Sequence, residues 1–117
     1  MLNFTPAYPA TDSAADHCLT HLEHARFNLW FLDPIAGRGY PQDAWDSYSN
    51  DVPKVEPEDM KIISASLDFL GVNYYSRHVC HDPMGGEGSR VLNECSKVNL
   101  SDRDWEIYPQ AMYDLLI

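Results

Sequence analysis

The run from Ser66 to Tyr75 constrains the fold more than any other part of this chain. It reads Ser-Leu-Asp-Phe-Leu-Gly-Val-Asn-Tyr-Tyr, which is mostly apolar, has β-branched and aromatic members, and does not strictly alternate. This pattern favours a strand that is covered on both faces, as in a parallel sheet. Such a strand needs partner strands and crossover helices, so the run predicts an α/β fold.

A strand-like segment and a helix precede this run. Residues Met1–Thr5 are apolar and β-compatible, and the prolines that follow them mark a loop. Potential N-caps at Thr11-Asp12-Ser13 predict a helix over Ala14–Arg26. Its apolar stripe has helical spacing and consists of Ala15, Cys18, Leu22 and Ala25.

The remaining segments complete a βαβα order. We interpret Phe27–Tyr40 as an aromatic-rich connector and His81–Ser89 as a Gly-rich loop. Prolines at first-turn positions predict helices near Pro41–Tyr48, near Pro57–Ser64 and over Tyr108–Ile117. The order indicates a parallel sheet with crossover helices. Two strands are too few for a stable parallel sheet, so we expect further strands from outside these residues.

Both ends of the chain are abrupt. Met1 runs directly into apolar residues without a charged-then-apolar leader, and Leu115-Leu116-Ile117 ends in an apolar run without a cap. The 117 residues suffice for one compact unit. We therefore expect residues 1–117 to form a single segment that is incomplete at both ends.

Charge and cysteine content narrow the function classes. The net charge is −10, from 18 acidic and 8 basic residues, so nucleic acids and anionic membrane surfaces are not expected partners. A neutral ligand such as a sugar meets no such penalty. Cys18, Cys80 and Cys95 are odd in number and lack CxxC spacing, which predicts free thiols and a reducing, cytoplasmic compartment.

The usual catalytic groupings have weak support. His17 and His21 are four residues apart and could share a helix face as metal ligands, yet no third ligand is fixed, and a solvated face is the preferred reading. Cysteine–histidine neighbours such as Cys80 and His81 point apart, which argues against a nucleophile pair. Glu94 follows the Gly-rich loop instead of an apolar strand, so a surface role is preferred. We predict no metal and no cofactor.

Asn73-Tyr74-Tyr75 is the sharpest local signal. Polar side chains that end a buried strand are costly unless they have partners, and the carboxyl ends of barrel strands carry functional groups. In a strand Asn73 and Tyr75 point the same way and Tyr74 points the other way. The alternative is structural: one tyrosine packs and the other hydrogen-bonds a carbonyl.

The chain resembles the β-glucosidases and β-galactosidases of glycoside hydrolase family one over essentially its whole length. The resemblance rests on motifs in the same order and spacing, namely Leu2–Ala10, Trp30–Pro34, Gly39–Pro41, Leu67–Tyr75 and Trp105–Pro109. It implies a partial (β/α)8 TIM barrel, from about the end of strand five through part of helix six. It also implies retaining hydrolysis of β-linked glycosides by one acid/base and one nucleophilic glutamate. Both glutamate motifs of the family are absent from this sequence.

The resemblance also assigns roles to individual positions. Tyr75 matches the tyrosine whose hydroxyl binds the nucleophile, and Asn73 matches its polar neighbour facing the sugar. Trp105 resembles an aromatic wall near the leaving group, although Asp104 stands where the family often has glycine. Asn3 is expected on the same rim.

These observations lead to one main hypothesis and one alternative. The main hypothesis is an internal fragment of a retaining β-glycosidase, inactive in isolation, whose partners are a β-linked glycoside and the rest of the barrel, in the same or another chain. The alternative is a free-standing, non-catalytic module that binds sugars or completes a barrel.

Overall fold

The computed structural model describes residues 3–82, 90–92, 100–102 and 105–117. Helices and short strands alternate in the described part of the chain. In chain order the elements are β1 (Ala7–Pro9), α1 (Ala14–His24), a π-helical turn (Ala25–Leu29), α2 (Trp30–Ile35), α3 (Gln42–Ser47), α4 (Asp59–Ile63), β2 (His78–His81), β3 (Arg90–Leu92) and α5 (Gln110–Leu116).

The longest helical segment begins where its cap predicts. The Ser13 side chain accepts a hydrogen bond from the Asp16 amide, which satisfies one of the free N–H groups of the first turn of α1. Helical structure then continues through the π-helical turn and α2 to Ile35, so the prediction of a non-helical connector over Phe27–Tyr40 is wrong for most of its length. Aromatic residues have only modest helix propensity, and here tertiary packing overrides it.

An aromatic cluster supplies that packing. Trp30 on α2 lies with its ring centroid 4.7 Å from that of Tyr40, 6.0 Å from that of Trp45 and 4.9 Å from that of Tyr48. The chain reverses between α2 and α3 at Gly37, whose φ of 73° suits a residue without a side chain. The cluster therefore fixes α3 against α2.

The sheet contains a parallel and an antiparallel pair. β1 pairs with β2 in parallel, with Ala7 opposite His78 and Pro9 opposite Cys80, and β2 pairs with β3 in antiparallel orientation. Upstream of both strands, Asn3 and Asn73 form an isolated parallel bridge. The helices α1 to α4 lie in the connection between the parallel segments, as the α/β prediction requires. The antiparallel strand β3 was not predicted.

The predicted buried strand over Ser66–Tyr75 is not formed over its length. Only Asn73 makes a bridge, and Leu67, Phe69 and Leu70 are 57%, 85% and 51% exposed. A strand requires a hydrogen-bonding neighbour, and within the described residues only the segment around Asn3 and Phe4 lies alongside. The helices predicted near residues 41–48, 57–64 and 108–117 are confirmed as α3, α4 and α5.

The buried interior is small and partly polar. Among the described residues, the buried apolar residues other than proline are Phe4, Ala25, Ala44, Cys80 and Ala111. On α1 the predicted stripe is partly wrong, because Cys18 is exposed while Asp16 and Glu23 are buried. The residues that the structure describes contain no helix long and apolar enough to cross a membrane.

Candidate functional site

The four residues predicted for the site fall into two contacting pairs. The first pair is Asn3 and Asn73, which face each other in the parallel bridge. The amide of Phe4 donates a hydrogen bond of 3.0 Å to the Asn73 carbonyl oxygen, and Phe4 itself is 3% exposed. The hydrogen bond and the buried Phe4 side chain hold the backbones of Asn3 and Asn73 next to each other.

The second pair is Tyr75 and Trp105. Their rings meet edge to face, with centroids 5.5 Å apart and an interplanar angle of 72°. Both residues are about half exposed. They line an open cleft of about 490 Å³ together with Ile107 and Met112. Exposed aromatic rings beside a cleft offer a flat, amphipathic surface of the kind that ligand sites use.

Tyr74 has a structural role next to this pair. Its hydroxyl donates a hydrogen bond of 2.8 Å to the Tyr108 carbonyl oxygen, across 34 residues of sequence. Burial is the main cause that raises the pKa of Tyr74, so the hydroxyl stays protonated and remains a donor at neutral pH. One tyrosine of the Asn-Tyr-Tyr motif is therefore committed to the backbone, and Tyr75 is left at the cleft.

An ion pair that sequence analysis missed joins the same two segments. The Nε and Nη2 atoms of Arg77 donate to Oε2 and Oε1 of Glu106 at 2.7 and 3.0 Å. The guanidinium also lies 3.8 Å above the ring centroid of Tyr108 and 5.2 Å from that of Tyr8. The hydrogen bond to Glu106 raises the pKa of Arg77. No spacing rule links positions 77 and 106, so only the fold reveals this contact.

A buried carboxylate forms a second network that was not predicted. Asp16 is fully buried and accepts hydrogen bonds from the Thr11 amide and hydroxyl, at 2.8 and 2.7 Å, and from the Asp82 amide at 2.7 Å. The His81 Nδ1 atom lies 3.2 Å from both carboxylate oxygens. These donors, the Asp82 amide first, hold the pKa of Asp16 well below its usual range. In the sequence Asp16 is one of many acids in caps, turns and short polar stretches, for which a solvated surface is the expectation, and for Asp16 that expectation is wrong.

Asn28 connects the helical segment to the extended segment that carries Asn3. Its Oδ1 accepts from the Thr5 amide and its Nδ2 donates to the Thr5 carbonyl oxygen, both at 2.9 Å, and Asn28 is fully buried. The side chain thus imitates a strand neighbour. It lies in the π-helical turn, a feature that often accompanies functional sites.

Two of the three histidines of α1 form separate, exposed pairs with aspartates. The His17 Nε2 atom lies 3.0 Å from Oδ1 of Asp12, and the His21 Nε2 atom lies 2.8 Å from Oδ2 of Asp43. Among the described residues no three histidine, cysteine or acidic side chains are grouped so as to hold a metal ion. Glu94 and Cys95 lie outside the described residues, and Cys80 is a buried free thiol.

Comparison with known proteins is consistent over the whole chain. The family model described as glycosyl hydrolase family 1 matches residues 1–117. The chain is 34% identical to β-glucosidase A of Acetivibrio thermocellus over 120 residues, which covers 99% of this chain and 27% of that protein. It therefore spans about a quarter of the length of this curated relative.

Solved structures give the same picture. The AHE enzyme of Alicyclobacillus herbarius superposes with a TM-score of 0.82 at 39% identity, covering 98% of this chain and 26% of that one. The virulence factor SghA, solved in complex with its substrate analogue salicin and known from Agrobacterium tumefaciens, superposes with a TM-score of 0.82 at 32% identity and the same coverage.

Proposed function

Because the chain belongs to glycosyl hydrolase family 1, we propose that it supplies one wall of the substrate site in a retaining β-glycosidase. The substrate is a β-linked glucoside or galactoside, which is hydrolysed by double displacement at two glutamates. Both glutamates lie outside residues 1–117. The observation that carries the proposal is the contact of Tyr75 with Trp105 at an open cleft, in a chain that matches the family throughout.

We place the segment from the end of barrel strand five through part of helix six. The support is the parallel bridge between Asn3 and Asn73, which sets two strand ends side by side with helices in the connection. Parallel neighbours joined through helices are the repeating unit of a (β/α)8 barrel. Functional side chains then lie at the carboxyl ends of these two strands.

Each side chain receives a distinct role. The Tyr75 hydroxyl donates to the nucleophilic carboxylate and orients it, and Asn73 faces the sugar ring. Trp105 covers the leaving-group side of the cleft, and Asn3 lies on the rim. One acid/base glutamate and one nucleophilic glutamate, both supplied by other residues, perform the chemistry, so the isolated chain is inactive.

The partner of this segment is the rest of the barrel, in the same or another chain. The support is exposed apolar surface: Leu67 and Leu70 line a gap of about 310 Å³ with Leu32 and Leu116, and Phe69, which lies between the two leucines in sequence, is 85% exposed. An apolar surface of this kind marks a contact site, which favours the barrel segment over a free-standing sugar-binding module. The free thiols of Cys18 and Cys80 support a cytoplasmic location for the protein.

A chimaera tests the proposed function. The chain replaces the matching quarter of β-glucosidase A of Acetivibrio thermocellus, and hydrolysis of an aryl β-glucoside is measured. We expect activity, and we expect Tyr75→Phe to lower kcat by roughly 10²-fold, because one donor to the reacting carboxylate is lost. Tyr113→Phe, at an exposed position of α5, is the matched control and should leave kcat unchanged.

Two results would contradict this function. One is a folded chimaera without β-glucosidase activity. The other is turnover of the aryl β-glucoside by the isolated chain that Glu94→Gln abolishes, since this would place a catalytic carboxylate within residues 1–117.

A further inference from the structure

We propose that Arg77 and Glu106 are positioning residues, whose ion pair holds Trp105 against Tyr75 and so sets the shape of the cleft that the two rings line. The part of the inference that concerns substrate, namely selection among leaving groups of different size, rests on the proposed function. The geometric part does not, because it concerns only contacts within this chain.

The ion pair and the ring pair connect the same two segments. Arg77 lies two residues after Tyr75, and Glu106 directly follows Trp105. The ring contact and the ion pair are therefore successive contacts between the segment after Asn73 and the segment around Trp105. Displacement of Glu106 moves the backbone that carries the Trp105 ring.

Of these two contacts, the ion pair between Arg77 and Glu106 constrains the geometry more strongly than the ring contact. Arg77 and Glu106 side chains are 19% and 8% exposed, whereas the two rings are about half exposed. Two parallel N–H···O contacts fix both distance and orientation, which a single contact cannot do. The Tyr108 ring beneath the guanidinium restricts it further.

Local contacts of Trp105 do not set its distance from Tyr75. The Ser101 amide donates to the Trp105 carbonyl oxygen at 2.8 Å, and the Trp105 amide donates to Ser101 Oγ at 3.2 Å. Both bonds lie within the segment itself, next to the bridge between Leu100 and Glu106. These bonds set the local conformation around Trp105, whereas the position of Trp105 relative to Tyr75 depends on long-range contacts.

Fluorine NMR of the complete chain labelled with fluorotryptophan tests the geometry without any enzyme assay. The chain has three tryptophans, and Trp105→Phe assigns the Trp105 resonance. Tyr75→Leu defines the resonance position without the neighbouring ring. We expect Glu106→Gln and Arg77→Lys to shift the Trp105 resonance toward that position, because neither variant keeps the charged, forked contact.

Trp30 and Trp45 provide an internal control. They lie in the separate aromatic cluster, so their resonances should stay in place while the fold is intact. Arg38→Lys is the matched control variant, because Arg38 pairs with Asp33 at 2.8 Å away from the cleft and should leave Trp105 unchanged. Unshifted Trp105 resonances in both test variants would overturn the inference. If Glu106→Gln also shifts the resonances of Trp30 and Trp45, that variant no longer keeps the fold intact, and the Arg77→Lys result decides the test.

Kinetics of the chimaera test the substrate part. Arg77→Lys should raise KM for a β-glucoside with a large aromatic leaving group by about tenfold and change kcat little, because ground-state and transition-state binding are weakened together. An equal loss in kcat for small and large leaving groups would contradict a role in leaving-group selection. A folded but inactive chimaera would refute the proposed function and leave the NMR result to decide the geometry.

Discussion

At the scale of single residues, Asp16 accepts hydrogen bonds both from the segment that precedes α1 and from the end of β2. Its donors are Thr11 and residues 81 and 82. One carboxylate therefore joins the loop that follows β1 to the end of β2. Every one of these contacts stabilises the ionised form. The carboxylate is therefore a structural anion.

The low pKa of Asp16 predicts a pH-dependent stability. Because its folded-state pKa lies below that of an unfolded aspartate, at roughly 4, the carboxylate stabilises the fold above that pH and loses this effect as the pH falls. Asp16→Asn should lower the urea midpoint at neutral pH, and the difference from the unmodified chain should shrink below about pH 4. Circular dichroism at low protein concentration gives both midpoints.

The control for this prediction is Asp46→Asn, at an exposed position of α3. Its effect should stay within about 0.5 kcal/mol. A difference between Asp16→Asn and the unmodified chain that persists unchanged in acid would exclude the ionised carboxylate as the source of stability.

At the scale of elements, the π-helical turn and the strand end at Asn3 depend on each other. Asn28 in that turn is the hydrogen-bonding neighbour of Thr5, and the same extended segment pairs with Asn73 through Asn3 and Phe4. Asn28 lies in the π-helical turn and is fully buried, so the turn places a polar side chain in the interior. Helix and strand end are thereby fixed by one amide group.

Replacing Asn28 by alanine tests this coupling. The change leaves the Thr5 amide and carbonyl without partners in a part-buried site and should reduce the free energy of unfolding by about 2 kcal/mol. Hydrogen exchange of the Phe4 amide should also accelerate, because its bond to Asn73 depends on the position of the same strand. Asn50→Ala, at an exposed position, is the control; equal effects of the two changes would refute the coupling.

At the scale of the whole molecule, the described residues present large apolar side chains to solvent. Leu67, Phe69 and Leu70 lie on one segment, and Leu116 at the end of α5 lines the same gap as Leu67 and Leu70. Burial of such side chains is worth roughly 1.5–3 kcal/mol each, so a surface that covers them gains substantially. A negative net charge of −10 opposes close approach of two copies but does not remove this driving force.

We expect the isolated chain to self-associate through this face as its concentration rises. Leu67→Ser combined with Phe69→Ser should shift the equilibrium to monomer and should leave the helical circular dichroism unchanged, since both residues are more than half exposed. Sedimentation velocity measures the association. Val55→Ser, exposed elsewhere on the chain, is the control, and association that survives the double change would show that another surface is responsible.

The sequence alone determined the α/β class, the N-cap of α1, the positions of most helices, and the family through its ordered motifs. These features depend on local propensity and on side-chain order, which are readable along the chain. It also identified Asn3, Asn73, Tyr75 and Trp105 as a set, and the structure places them in two contacting pairs. Their roles in binding and catalysis stay predictions.

The tertiary structure decided what depends on distant partners. Asp16 looked like a surface acid and is buried, because its donors at residues 81 and 82 are supplied by another strand. Arg77 and Glu106 carried no pattern and form the ion pair at the cleft, because the fold brings segments 29 residues apart together. The Ser66–Tyr75 run looked like a buried strand and is largely exposed, because a strand is defined by its neighbours as well as by its own residues.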